Sequence, residues 1–211
     1  MNDQTVVKTG MTLALIAAIC TTLVAATFQV TKHRIAANEK ALLEQSLQPA
    51  LAGLSYDSGI SESRLVLKAP HELPGNDAAI IYRVFGEGKP VAALFAVTAR
   101  DGFSGPIRIL LGVDSSGVVT GVRILKHRET PGLGDKIESA RSDWVFQFDG
   151  HTIGNPVVTG WAINDDRGEF DQLTGASVTS RAVINAIRDT LLYFETNRDE
   201  IFALSGTGED E

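Results

Sequence analysis

Cysteine occurs once in this 211-residue chain, methionine and tryptophan twice each, and basic residues are the minority, 19 Lys and Arg against 26 Asp and Glu for a formal net charge of −7. The lone Cys20 excludes an internal disulfide, a CxxC redox pair and a cysteine-held zinc or iron–sulfur cluster within the chain, so any redox role needs another cofactor. The acidic balance argues against a phosphate-backbone partner, and no nucleic acid is expected. The four histidines, His33, His71, His127 and His151, show no ligand spacing, and no metal is assigned. No internal repeat or low-complexity linker divides the chain.

What the N-terminus does have is a long run without formal charge, from Lys8 to Lys32, containing "GMTLALIAAICTTLVAATFQV". A helix of about 20 such residues crosses a hydrocarbon core of roughly 30 Å, and the run reads as a single transmembrane helix. A cleaved secretory signal is the alternative, with small residues in "VAA" at 24–26, but signal apolar regions are shorter, about 7–15 residues. Ile19 stands before Cys20 where a lipoprotein signal needs a small residue. Lys8 precedes the span while Lys32, Arg34 and Lys40 follow it, so the positive-inside rule alone keeps the large domain cytoplasmic.

Four regions follow from the pattern: residues 1–31 as N-terminal tail and span, 32–52 as a juxtamembrane helix ending at Pro49, 53–205 as one α+β domain, and 206–211 as a frayed acidic tail. In the domain, "AAIIYRVFG" and "KPVAALFAVTA" meet through "GEGK", and "PIRILLGV" and "VVTGVRILKH" through "DSSG", which predicts two β-hairpins. Val183, Ala186, Ile187, Leu191 and Phe194 share one face of a predicted C-terminal helix over about 181–204, packed on the sheet.

Just before that helix, "FDQLTGASVTS" (170–180) crowds four hydroxyls, Thr174, Ser177, Thr179 and Ser180, where one would satisfy a helix N-terminus. A helix starting near Ser180 or Arg181 aims free N–H groups and a positive dipole end at Ser177, and Gly175 and Ala176 keep the loop small. Helix capping and an anion site both fit this pattern. The loop "ETPGLGD" (129–135) combines Pro131, Gly132 and Gly134 into a turn with little side-chain bulk, either a plain connection or a seat for a flat ligand. Ser104 in "DGFSGPI" is not a nucleophile elbow, since the order G-x-S-x-G is absent, and Trp144 and Trp161 read as core residues.

"DQLTGAS" matches the D-x-x-[ST]-G-A-[ST] pattern of covalent flavinylation, "HRETPGLGDKIES" is similar to the E-T-P-G-L-G loop of the same proteins, and "DGFSGPI" is similar to a third of their motifs. With the single span, these make the chain resemble the G subunit of the Rnf/Rsx ion-translocating electron-transport complex. The C subunit of the sodium-pumping NADH:quinone reductase is a second, usually longer relative. The resemblance implies FMN joined through its phosphate to Ser177, where the family more commonly has Thr, with Thr174 the first alternative. It implies that Thr174 and Thr179 line the phosphate or cap the helix, and that Gly175 and Ala176 are the small cofactor-binding residues of the loop. Glu129 and Thr130 are then hydrogen-bonding partners of the ring or ribityl chain, Leu133 a cover for the ring face, and Ser104 part of a turn near the flavin. It further implies an electron-relay role beside other membrane subunits, a flavin transferase for attachment, no independent catalytic acid or base, and a bacterial inner-membrane location with the main domain periplasmic. A membrane-anchored flavin sensor outside such a complex, and a colourless adhesive domain in which the hydroxyls only cap, are the competing classes.

Overall fold

The computed structural model describes residues 10–22, 25, 27, 50, 51, 54, 56, 63–75 and 78–203. The chain divides into two compact units, Met1–Glu44 and Gln45–Glu211. In the first, residues 10–22 are helical and expose Met11, Leu13, Leu15, Ile16 and Ile19. The hydroxyls of Thr21 and Thr22 donate back to the carbonyls of Ala17 and Ala18, at 2.8 and 2.7 Å, so the helix satisfies its own side-chain donors. Among the described residues no helix is long and apolar enough to cross a membrane. The helix expected over 32–52 lies outside the described residues except at Ala50 and Leu51, as does the acidic tail.

The second unit is built on a five-stranded antiparallel meander: β1 (Arg64–Leu67), β2 (Ala79–Gly86), β3 (Lys89–Ala99), β4 (Ile107–Asp114) and β5 (Val119–Lys126), in spatial order 1-2-3-4-5. Both expected hairpins form. The β2–β3 turn is the two residues Glu87 and Gly88, at φ 52° and 73°, the twist-matched geometry that favours a glycine. At the β4–β5 turn the Asp114 carboxylate accepts from the Ser116 N–H, the Ser116 hydroxyl and the Val118 N–H, folding the chain around one side chain. Strand β1, which no sequence signal announced, pairs antiparallel with β2.

Alternation along the strands sorts the core. Ile81, Phe95, Leu111 and Val113 face the C-terminal helix (Ser177–Ala203), which lies across β3 and β4 and buries Val183, Ala186, Ile187, Leu191 and Phe194. The rings of Phe95 and Phe194 meet edge to face with centroids 6.0 Å apart. The opposite face is covered as well. Leu94, Leu110 and Val84 are buried there, Gly112 leaves no room for a Cβ against the Ala50 carbonyl, and Thr120 Oγ1 donates to that carbonyl at 2.5 Å.

Between β5 and the helix the chain makes four short 3-10 turns: Gly134–Ile137, Asp143–Phe148, Val158–Gly160 and Asn164–Asp166. An aromatic cluster holds this irregular stretch: Phe170 packs against Trp161 at 4.6 Å and Phe148 at 5.1 Å, and Trp144 meets Phe148 edge to face at 5.3 Å. Trp161 is fully buried, as its core reading required, while Trp144 is half-buried and its indole N–H donates to the Asp171 carbonyl at 2.7 Å.

Candidate functional site

The helix begins at Ser177, earlier than the expected start near Ser180 or Arg181. The hydroxyls at 179 and 180 point inward, so the Thr179 side chain, expected to line the phosphate or cap the helix, does not cap it. Ser180 Oγ accepts from the Leu173 N–H at 3.0 Å and donates to the Ala176 carbonyl at 3.1 Å, so it ties the preceding turn to the helix. Thr179 is 1 % exposed, and its hydroxyl donates to Glu129 Oε2 at 2.5 Å. The first helical N–H bond runs from Ser180 to the Ala176 carbonyl, at 3.0 Å, leaving the N–H groups of 177–179 ahead of the ladder.

The other two hydroxyls contrast with these. Thr174 is exposed, Ser177 is half-buried, and among the described residues neither side chain has a hydrogen-bond partner. Gly175 between them, at φ +78°, lies under Leu133, whose Cδ2 would be 3.2 Å from an added Cβ. One free hydroxyl therefore stands at the first residue of a long helix, where free N–H groups and the dipole favour a phosphate.

Glu129, 4 % exposed, brings the three sequence motifs together. Its Oε1 accepts from the Ser104 N–H at 3.0 Å and its Oε2 from Thr179, so a carboxylate in the "ETPGLGD" loop joins the "DGFSGPI" turn to the first turn of the helix. Glycine is required around it. A Cβ at Gly134 would lie 2.9 Å from Glu129 Cβ and 3.1 Å from Thr179 Oγ1, and one at Gly102 would lie 2.9 Å from Glu129 Oε1. Gly134 thus makes room for this carboxylate, whereas Gly132, at φ +79°, faces open space.

The loop is fixed from its other side by His127. Its Nδ1 accepts from the Glu129 N–H at 3.0 Å and its Nε2 meets Glu138 Oε1 at 2.7 Å. Arg141 bridges Glu138 and Asp135, each at 3.2 Å, and Asp135 Oδ1 accepts from the Gly132 N–H at 2.8 Å. In "DQLTGAS", Asp171 is held by Gln147, whose Oε1 accepts from the Asp171 N–H at 2.8 Å, and by Asn164, whose Nδ2 donates to Oδ1 at 2.6 Å.

Of the expected site residues, Thr174, Gly175, Thr130, Leu133 and Ser104 are exposed, Ser177 is half-buried, and Ala176, Thr179 and Glu129 are buried. Leu133 and Gly175 are neighbours, and Glu129, Ser104 and Thr179 share hydrogen bonds. Both Glu129 oxygens are engaged within the protein, and the N–H groups of Glu129, Gly132, Leu133 and Asp135 are engaged too, which leaves the exposed Thr130 hydroxyl as the loop's unpartnered side-chain donor. Two features were missed in the sequence: His127, and Phe103, which is 69 % exposed beside Ser104. An aromatic between glycines in "DGFSGPI" was a readable signal for Phe103. The residues present fit FMN: unpartnered hydroxyls and N–H groups for a phosphate, and small or apolar surface at Gly132, Leu133 and Phe103 for a flat ring.

Residues 102–192 match the FMN-binding domain family, so the region that holds these loops and most of the helix belongs to a flavin-binding class. Residues 1–49 match the RnfG N-terminal region. Over nearly its whole length the chain is similar to proteins named as the G subunit of an ion-translocating oxidoreductase complex: it is 42 % identical over 210 residues to that of Photorhabdus laumondii, covering 98 % of each chain. It is 43 % identical over 208 residues to that of Escherichia coli K12, covering 98 % of this chain and 99 % of the relative. The chain belongs to this family of G subunits.

Proposed function

We propose that the protein is the electron-carrying flavoprotein subunit of a membrane-bound, ion-translocating electron-transport complex, with FMN held covalently by a phosphoester to the Ser177 hydroxyl. The observation that carries the attachment site is the division among the four hydroxyls: Thr179 and Ser180 are buried and engaged, while Ser177 is free at the helix start. Thr174 is the second free hydroxyl, but it lies before Gly175 and outside the helix. Flavin, once attached, supplies one-electron transfer. The chain's part is to hold the phosphate at the N–H groups of 177–179, to present Leu133, Phe103 and Thr130 to the ring, and to keep the loop in place through Glu129. No side chain acts as a catalytic acid or base in this reading.

The uncharged run from 9 to 31 is assigned as a single membrane span, supported by the helical conformation and exposed apolar side chains of 10–22. The unit from Gln45 onward is assigned to the periplasmic side, where a flavin transferase reaches Ser177, and the other subunits of the complex are its partners. Protease added to spheroplasts should digest that unit; resistance there with digestion in inverted vesicles reverses the orientation.

Intact mass of the full chain, made with and without a flavin transferase, tests attachment. The wild type should gain the mass of FMN less one water only with the transferase. Ser177→Ala should fold and lose both the added mass and in-gel flavin fluorescence, whereas Ser177→Thr should retain both. Full flavinylation of a folded Ser177→Ala chain moves the site to Thr174, and peptide mapping would show it.

A further inference from the structure

We propose that His127 is a positioning residue for the flavin loop, and that it holds the loop only while its Nδ1 carries no proton. The inference rests on the flavin reading above, but its geometry belongs to the chain alone. A backbone N–H can only donate, so the 3.0 Å contact from Glu129 N makes Nδ1 an acceptor. The neutral ring then carries its proton on Nε2 and donates it to Glu138 Oε1 at 2.7 Å. Both ring nitrogens are committed, and the side chain is 11 % exposed, which leaves little room for the ring to flip away.

From His127 the contacts run in one direction toward the attachment site. Its acceptor fixes the Glu129 backbone; the Glu129 carboxylate fixes the Ser104 N–H and the Thr179 hydroxyl; Thr179 stands in the first helical turn with Ser177. A proton arriving on Nδ1 turns that nitrogen into a donor facing a donor, and the Glu129 N–H loses its partner. The charged group in contact with the ring is Glu138, which Arg141 bridges to Asp135; Lys126 and Arg128 are near in sequence, with Arg108 paired to Lys126 across β4 and β5, and the Glu129 carboxylate is turned to Ser104 and Thr179. Nε2 can go on donating to Glu138 Oε1 in either state, so a proton on Nδ1 removes the Glu129 contact alone.

Hydrogen exchange at the Glu129 amide of the full chain, FMN-free, between pH 8 and pH 5 tests this, with rates corrected for intrinsic pH dependence. Protection should fall at the acid end by on the order of tenfold, the worth of one buried hydrogen bond. In His127→Asn, whose side-chain oxygen keeps an acceptor that does not titrate, protection should stay level across the range. In the FMN-loaded wild type the same fall should come with a change in the visible flavin spectrum and emission anisotropy, and that change should be absent from the Asn variant. Constant wild-type protection from pH 8 to pH 5 overturns the proposal whether or not the variant folds. So does a folded Asn variant that keeps the wild-type fall. A fall in protection with an unchanged flavin spectrum overturns the link to the flavin. Because the amide is read on FMN-free protein, a failure of the attachment reading leaves this result interpretable.

Discussion

Phe95 and Glu129 are both buried, at 0 % and 4 % exposure, and each joins the C-terminal helix to another part of the chain, Phe95 through the ring of Phe194 and Glu129 through the hydroxyl of Thr179. The aromatic contact is broad and weakly directional, and it sits in the middle of a continuous apolar seam. Glu129 makes two directional bonds, and they tie two loops to the helix. Stability is concentrated at the first point, and the geometry of the site at the second.

Substitutions can separate the two. Phe95→Ala should have the largest effect on stability, about 3–5 kcal/mol from lost burial and the cavity left behind, read from chemical denaturation midpoints of the full chain. Glu129→Ala leaves the Ser104 N–H and the Thr179 hydroxyl without their acceptor and should cost about 2 kcal/mol, less than Phe95→Ala, while shifting the flavin spectrum more. Thr179→Val, which keeps the shape and removes one donor from a buried carboxylate, should cost about 1 kcal/mol and move the spectrum in the same direction. If Phe95→Ala disturbed the spectrum more than Glu129→Ala at equal fraction folded, the separation would be lost.

The smallest effect is expected at the surface. Arg181 grips Asp166 with two bonds, at 2.6 and 3.0 Å, and its hydrogen bonding holds the Asp166 carboxyl below the ordinary aspartate value. A carboxyl depressed in this way contributes stability above its unfolded pKa of about 3.9, and loses it as pH falls through the folded value. Asp166→Asn should therefore leave the neutral-pH midpoint nearly unchanged, since exposed pairs contribute little, and flatten only the acid limb of the denaturation profile.

The same contrast explains what could be read from the sequence. Both hairpins were legible because their turns are local: Glu87–Gly88 and Asp114 fix the chain within a few residues. The helix face was legible from its spacing. The contacts of Glu129 were not, since its partners lie 25 and 50 residues away and nothing in "ETPGLGD" says where its carboxylate points. The helix starts earlier than its pattern suggests because Thr179 and Ser180, which have the chemistry of caps, turn their hydroxyls inward. Strand β1 is hard to see in the sequence because it has four residues and takes its meaning from pairing with β2. The motifs lie far apart in the sequence, and only the folded chain shows that one side chain joins them.

Those separations along the chain also set an order of events in biosynthesis. Each hairpin of the meander closes on its own neighbour and can form as soon as its second strand has emerged, because short loops close at little entropic cost. The Glu129 junction has to wait for Thr179, in the last described element, so a chain interrupted before the helix lacks the junction and leaves the Phe95 face of the sheet uncovered. Ser177 stays accessible after the junction closes, whereas Thr179 disappears into it. In the folded chain only Thr174 and Ser177 of the four hydroxyls remain within reach of a modifying enzyme, whereas the unfolded segment would offer all four. Folding itself narrows the choice of residue.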